Sequence, residues 1–504
     1  MEASQRIIFN TLAQYGKSII NIGLSLYSTR LVLSALNISD YGIYSVIAGV
    51  VGILGYLTNS LVVTTQRYLS FYYGIGDKKQ VKQLFANSLL IHLILGLLLC
   101  LLLFMLENYL VNHFLNLPAE RLQAAEIVYS AMVLMLFVTV VTSPFKALLI
   151  ARENIIYISV IEIIDGVLKL LLALSLAIIG FDKLIFYAMG MLLVLSLNLV
   201  AYIVYVFIKY EESHTGISLS IFDRKSITQL LGFASWTTYG MIAGMCQTQG
   251  LAIVLNNFFG TVINAAFGIA SQVNGAIRFV STSVLNAMNP QIMKAEGSEE
   301  REKMLELASK ESKFSTALMM IVSIPVMIEM PAILSFWLKE VPNHTTIFCR
   351  TLMLAFLIDQ TTLGLHAANQ ATGKIKMYSL IMFTPKILIV PIAWILFKIG
   401  SSIVSLMAVY VAIELFVAIA RIPFLHFTAG LRTKPYLAKV ILPLIPLTVV
   451  LIVSGIALSL LPNFPFRFAV TTVVSSSIGC LALLFFVLSR NEKKYIIGFF
   501  KKIK

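Results

Sequence analysis

Residues 93–103 read LILGLLLCLLL, an apolar run that shows none of the alternation of apolar and polar side chains expected of a membrane β-strand. Similar runs of about twenty residues recur along the chain, each long enough to cross the ~30 Å hydrocarbon layer as a helix. Of the 504 residues, 59% are hydrophobic and only 12% charged, and the mean hydropathy is +0.89. Soluble domains carry about a quarter charged residues. The sequence therefore predicts an all-α polytopic membrane protein of about fourteen transmembrane helices.

The hydropathy pattern and the loop signals between runs place the predicted spans. They lie at 11–35, 41–63, 83–106, 122–145, 155–179, 184–208, 230–257, 262–289, 314–338, 346–370, 377–399, 402–428, 438–461 and 467–489. Most of the 38 Lys and Arg residues then fall in the segments on one side, which holds both termini. Because positively charged loops stay in the cytoplasm, both termini are predicted to be cytoplasmic.

A weak internal repeat organises these spans. Ala151, Ile155 and Ser159 recur with the same spacing in 371–379, and the charged loop 76–82 corresponds to 297–303. The distance between the copies contains six spans, so it preserves orientation and predicts two parallel repeats. The predicted parts are an N-terminal six-helix lobe, a cytoplasmic linker, a C-terminal six-helix lobe, an additional transmembrane pair and a basic cytoplasmic tail, at 1–208, 209–229, 230–428, 438–489 and 490–504.

The chain lacks the sequence motifs of several classes of enzyme and of ATP-driven transporters. It has no nucleotide-binding GxxxxGK[ST] loop, no HExxH and no GxSxG, and no loop long enough for a nucleotide-binding domain. The net charge of +14 is spread over short loops and the tail, which argues against nucleic acid as a partner. The four cysteines lie in or beside apolar runs and predict neither disulfides nor a metal. We therefore expect a non-enzymatic transporter without a cofactor.

Polar residues inside the spans are the candidate substrate-binding groups. Ionisable side chains at mid-membrane cost about 2.5–3.5 kcal/mol, so they usually face a cavity or a partner. Arg278 is placed near the middle of the eighth span with no acid on its own helical face. For the amide residues a second interpretation is open, because small and amide side chains often mediate helix packing. The candidates are Arg278, Lys17, Lys169, Lys386, Asn21, Gln247 and Asn264.

Acidic residues inside the spans are candidates for ion coupling. Asp359 and Glu414 are predicted to be isolated buried carboxyls, which either bind and release a proton or sodium ion or are neutral and hydrogen-bonded to a carbonyl. Asp165 stands four residues before Lys169, so the two either neutralise one another or share a substrate site. The excess of cations over acids favours an anionic substrate, and the many amides and hydroxyls suit a sugar-like part.

Three stretches carry a resemblance to a known family. The segment Arg30–Gly49, with its core Asp40-Tyr41-Gly42-Ile43-Tyr44, looks like the opening of bacterial polysaccharide flippases of the Wzx type. The stretches 256–260 and 264–268, followed by Asn289-Pro290-Gln291, are similar to the seventh and eighth spans of that family. These flippases belong to the MOP superfamily, which also contains the multidrug and toxin extrusion (MATE) transporters.

The resemblance implies a V-shaped pair of six-helix lobes around a cationic cavity in the bacterial inner membrane. Such proteins move undecaprenyl-pyrophosphate-linked oligosaccharides to the outer leaflet by alternating access, for surface polysaccharides such as O-antigen. Related flippases bind the pyrophosphate with arginines of the first and eighth spans; Arg278 matches the eighth, whereas either Lys17 or Arg30 could stand for the first. Membrane lipids and other polysaccharide-assembly proteins are the further partners implied.

Three alternatives stay open at this point, the third being a scaffold protein within a glycan-assembly complex. A multidrug exporter of the same fold is the first, although the coupling carboxylate that drug-extruding relatives often carry in the first or seventh span is absent here. A membrane glycan polymerase or ligase is the second. Such enzymes generally carry a large outer loop, and the longest outer connection here, about 107–121, is short.

Overall fold

The computed structural model describes residues 55–114, 118–180, 182–214, 224–338, 341–462, 466–489 and 492–493, together with part of the stretch between 14 and 51. Every regular element among these residues is a helix. The helices are α1 Gly55–Ile75, α2 Lys78–Tyr109, α3 Leu122–Ala151, α4 Ile155–Ser175, α5 Lys183–Lys209, α6 Arg224–Met245, α7 Leu251–Gly297, α8 Arg301–Ile328, α9 Met330–Trp337, α10 Thr345–Gln360, α11 Leu363–Thr372, α12 Ile375–Lys398, α13 Ile403–Ala429, α14 Thr433–Ser459 and α15 Arg467–Val487.

Each predicted span from the third to the fourteenth coincides with a helix or a pair of helices. Within the described residues, eight helices are long and apolar enough to cross a membrane, or nine if one bent pair counts as a span. The outer surface of α2 is apolar, with Leu98, Leu101 and Met105 exposed by 58%, 56% and 79%. An apolar helix that leaves so much of its surface uncovered by protein is suited to lipid contact. The all-α polytopic class is confirmed.

The remaining predicted segments are covered only in part. The predicted spans 11–35 and 41–63, the predicted linker 209–229 and the basic tail 490–504 extend beyond the described residues, and Arg30 lies outside them. Their predicted roles stay predictions.

The predicted connection between the seventh and eighth spans contains Gly260 of α7, whose φ of +78° lies in the left-handed region that favours glycine. Two other predicted spans are interrupted in ways that hydropathy does not reveal. The ninth divides into α8 and α9. The tenth divides into α10 and α11, which bend by 47° at Thr361 and Thr362.

The chain forms two compact units, and the division falls inside α6. Of the described residues, those up to Thr238 form the first unit and those from Tyr239 onward form the second. In the first unit, α3 packs against α1, α2 and α5 around apolar residues such as Tyr129, Val133 and Leu148. In the second, α8 packs against α7 and α11, and α14 and α15 pack on α8.

An ion-pair cluster joins three segments at one end of the first unit. Arg121, just before α3, donates to Asp40 at 2.7 Å and to Asp182 at 2.6 Å. Asp182 also caps α5 by accepting the backbone N–H groups of Leu184 and Ile185. The hydrogen bond from Arg121 holds the pKa of Asp182 below its usual value, and the two capping bonds act in the same direction against burial. Asp40 of the motif 40–44 therefore has a structural partner.

Candidate functional site

The first unit contains a carboxylate held between two lysines. Glu162 of α4 accepts from Lys17 Nζ at 2.7 Å and from Lys146 Nζ of α3 at 3.0 Å. All three side chains are partly exposed, by 14% to 35%. Lys17 thus lies in a cluster of charged side chains, and its predicted role in substrate binding stays a prediction. Lys146, which the pattern places in a loop on the predicted cytoplasmic side, lies one helical turn inside α3.

A second ion pair stands one turn further along α4. Lys169 Nζ lies 2.7 Å from the Asp165 carboxylate, so the predicted spacing of four residues does produce a pair. Asp165 also accepts from Asn198 Nδ2 of α5 at 2.6 Å. The carboxylate of Asp165 is therefore engaged on both sides, by a charge and by an amide.

These groups line one polar cavity of about 370 Å³ within the first unit. Its wall includes Lys146, Glu162, Asp165 and Lys169. Asn21 also lines it, and the Asn21 Oδ1 atom is buried without a hydrogen-bond partner. A buried carbonyl oxygen that lacks a donor can accept one from a ligand or a water molecule. With Lys17 bound to Glu162, the cluster holds three lysines against two acids.

The second unit contains a denser network deeper in the protein. Lys386 of α12 donates to Glu414 of α13 at 2.8 Å, and Gln247 Nε2 donates to the other Glu414 oxygen at 2.9 Å. Lys386 also lies 3.8 Å from Asp359 of α10, and Arg421 of α13 lies 2.8 Å from the same carboxylate. The side chains of these four charged residues are exposed by no more than 14%. Two cations therefore neutralise two acids.

Arg421 also holds the break in the tenth span. Besides its ion pair with Asp359, its guanidinium donates to the Asp359 carbonyl at 3.3 Å and to Thr362 Oγ1 at 3.2 Å. The hydroxyl of Tyr436, on α14, donates to the carbonyl of Thr361 at 2.8 Å. A bend leaves carbonyls without their usual helical donors, and these two side chains supply donors instead.

Among the described residues, neither Arg278 nor Asn264 forms an ion pair or a side-chain hydrogen bond with the buried network. Arg278 is exposed, and its guanidinium lies 4.5 Å from the ring centroid of Phe356. Among the described residues it forms no ion pair with a carboxylate. Asn264 is half-buried on α7, and no hydrogen bond among the described residues joins it to Gln247, Lys386 or Glu414. Arg278 is thus a guanidinium that a ligand can reach.

The structure corrects one expectation from the sequence. Asp359 and Glu414 are not isolated carboxyls, because each is paired with a cation of a neighbouring helix. Arg421, which is 2% exposed and the partner of Asp359, is not among the residues predicted from the sequence. The criterion applied to Lys386, an ionisable group inside an apolar run, would also have found it. Lys146 was overlooked because its position close to the end of a span makes it resemble a loop lysine.

Comparison with solved structures identifies the fold. The chain aligns over 86% of its length with 97% of a MATE transporter crystallised in a bent conformation, at 14% identity and a TM-score of 0.75. A multidrug resistance MATE transporter of the MOP superfamily in an outward-facing conformation matches at 15% identity, 85% and 96% coverage and a TM-score of 0.71.

A MOP superfamily transporter from Pyrococcus furiosus, described as having a binding pocket of reverse polarity, matches with the same identity, coverage and TM-score. No family model and no curated protein sequence matches the chain. The protein therefore has the multi-pass membrane fold of MATE transporters of the MOP superfamily.

Proposed function

We propose that this protein is a secondary transporter that moves a lipid-linked anionic glycan across a bacterial inner membrane. The substrate class is a polyprenyl-pyrophosphate-linked oligosaccharide, carried from the inner to the outer leaflet by alternating access for surface polysaccharide synthesis. Other polysaccharide-assembly proteins would supply it and receive it. The MATE-like fold supports transport, and the resemblance of 30–49 and 256–291 to Wzx-type flippases supports this substrate.

The observation that carries the proposal is the charge of the cavity in the first unit. Lys17, Lys146 and Lys169 face only two acids, so the cluster keeps one surplus positive charge. The lysines are partly exposed, and a pyrophosphate that displaced Glu162 would gain two ammonium groups at once. Asn21 and Asn198 provide the amides that sugar hydroxyls require. In the second unit, Arg278 adds an accessible guanidinium.

A multidrug exporter is the second candidate. The fold shared with a multidrug resistance MATE transporter favours it. A site for cationic drugs needs carboxylates with free capacity, however, and Glu162, Asp165, Asp359 and Glu414 are all already paired with cations. The charge balance therefore supports the anionic substrate.

The test is translocation of a fluorescent polyprenyl-pyrophosphate oligosaccharide in proteoliposomes that contain the purified full-length protein. We expect wild type to expose the label to an outside quencher, and Lys146→Ala and Arg278→Ala to lose most of that rate. Lys79→Ala, at an exposed lysine at the start of α2, is the matched control and should transport normally. Absence of glycan movement under proton and sodium gradients, together with export of ethidium, would replace the proposal by the drug exporter.

A further inference from the structure

Glu311 is a buried acid without a partner in the second unit. It lies on α8, its residue exposure is 0%, and neither of its carboxyl oxygens has a hydrogen-bond partner. No Lys or Arg among the described residues forms an ion pair with it. Within the part of the chain that the structure describes, it is the acid for which both oxygens are buried and unsatisfied. The sequence does not reveal this, because Glu311 stands among lysines just before the predicted ninth span.

The surrounding charges are used elsewhere. Lys310 is bound to Glu306 at 2.7 Å, and Lys313 to Glu492 at 2.8 Å. The titratable group that interacts with Glu311 from another element is Tyr436 of α14, which itself interacts with Arg421. Among the other charged or titratable groups of the elements packed on α8, Glu296 pairs with Arg301, Asp359 with Arg421 and Arg467 with Glu329, Arg278 lies over the ring of Phe356, and His366 of α11 is hydrogen-bonded to Tyr378 and Gln370.

This packing accommodates a neutral carboxylic acid and not a carboxylate. An ionised carboxylate buried without a cation or donor is so costly that such groups take up a proton instead. Asp359 and Glu414 differ, because each already forms an ion pair with a cation of a neighbouring helix. Glu311 is therefore the buried acid best placed to hold a proton.

The position of Glu311 connects its proton to the break in the tenth span. The next residue, Ser312, accepts the backbone N–H of Gly364 at 2.9 Å, two residues beyond the break. A Cβ placed on Gly364 would overlap the carbonyl oxygen of Ala308, so α8 and α11 are in backbone contact there. A deprotonated Glu311 needs water or a donor, and this tight contact admits neither unless α8 and α11 separate.

We propose that Glu311 is a proton-binding site whose deprotonation separates α8 from the broken tenth span. The O–H bond of the carboxyl breaks, the proton goes to water that enters the opened contact, and the carboxylate is hydrated there. Rebinding of the proton restores the packing seen here. This deepens the proposed function and rests on it for the role of the proton in transport, but proton binding itself is measured without any substrate.

The first experiment is infrared difference spectroscopy of the full-length protein in lipid as the pH is raised. We expect wild type to lose a carbonyl stretch of a protonated carboxylic acid, and Glu311→Gln to lack that change. The control is Glu306→Gln on the same helix, whose side chain is 65% exposed; it should keep the wild-type change. Persistence of the full change in Glu311→Gln, or its absence in wild type, overturns the proposal.

A second measurement needs no variant. As the pH rises, hydrogen exchange of the amides around Ser312 and Gly364 in wild type should accelerate more than that of the α2 amides, which show the intrinsic pH dependence of exchange. If the ratio of the exchange rates of the two regions does not change with pH, α8 and α11 do not separate.

Transport in proteoliposomes distinguishes the proton proposal from the substrate proposal. If the glycan moves but Glu311→Gln responds to a proton gradient as wild type does, the coupling role fails. If the infrared change is present but no glycan moves, the substrate proposal fails alone.

Discussion

The guanidinium of Arg421 lies 2.8 Å from the carboxylate of Asp359, and the two side chains are only 2% and 14% exposed. Arg421 belongs to α13, whereas Asp359 is the last but one residue of α10, the first half of the broken tenth span. The same guanidinium reaches the backbone carbonyl of Asp359 and the Thr362 hydroxyl. A single side chain thus neutralises a buried acid and satisfies the backbone at the bend, which ties the local geometry of α10 and α11 to α13.

Removing both partners of this pair should therefore cost less stability than the two single removals added together. We expect Asp359→Asn and Arg421→Met each to destabilise the protein by about 3–5 kcal/mol, since each leaves a buried charge uncompensated. The double variant should lose clearly less than the sum of the two. Unfolding by denaturant in detergent micelles measures all three.

Arg432→Met provides the control for that cycle. Arg432 pairs with Glu302 at 3.3 Å, but the two side chains are 78% and 91% exposed. Exposed ion pairs contribute little, so this variant should unfold like wild type. Additive losses in the Asp359 and Arg421 double variant would show that the two residues act independently.

Prediction from sequence succeeded where a pattern is repeated along the chain. Apolar runs such as 93–103 fix the helix positions, because a helix in lipid must be long and apolar whatever it packs against. The Asp165–Lys169 pair was also predictable, since both residues are on one helix. Arg421 with Asp359 and Lys146 with Glu162 join different helices, and their pairing depends on packing that no local spacing encodes. Glu311 was hidden for the same reason: its burial depends on the elements that pack on α8.

Glu162 forms ion pairs with Lys17 and Lys146, the two lysines that an anionic ligand would bind. We therefore expect Glu162→Gln to bind inorganic pyrophosphate more tightly than wild type, because Lys17 and Lys146 lose their internal competitor. The measurement is the increase in melting temperature on addition of pyrophosphate, which grows with the ratio of ligand concentration to Kd. The increase should be larger in the variant.

Glu126→Gln is the matched control for this comparison. Glu126 is an exposed acid on α3, and its removal changes the net charge of the protein by the same amount. An equal gain in pyrophosphate binding for both variants would mean that overall charge, and not the Lys17–Glu162–Lys146 cluster, determines the affinity.

The Arg121–Asp182 pair should make the first unit sensitive to acid. The pKa of Asp182 is lowered in the folded protein, so its contribution to stability is complete above the ordinary Asp value of about 4 and is lost as the pH falls through the folded value. We expect the melting temperature of wild type to fall at low pH more steeply than that of Asp182→Asn. The asparagine retains an acceptor for the α5 cap but not the charge.

Near neutral pH, the melting temperatures of wild type and Asp182→Asn should depend on pH to the same extent, although the two temperatures should differ. Wild type should melt at the higher temperature there, because the ion pair is intact. Parallel curves across the acidic range would show that other carboxylates, and not Asp182, determine the acid sensitivity.

Gly364 is the position at which α11 and α8 touch backbone to backbone, and a methyl group there has no room. The overlap is with the carbonyl oxygen of Ala308, which cannot rotate away as a side chain would. We expect Gly364→Ala to destabilise the protein by about 1–3 kcal/mol, as overpacking usually does. It should also force the contact beside Glu311 open, so that the infrared change assigned to Glu311 occurs at lower pH than in wild type.

Gly268→Ala on α7 is the control, since a Cβ there meets no atom within 4 Å and alanine favours a helix. If Gly364→Ala loses stability while the infrared change keeps its wild-type pH, the packing of α8 on α11 does not control the proton of Glu311.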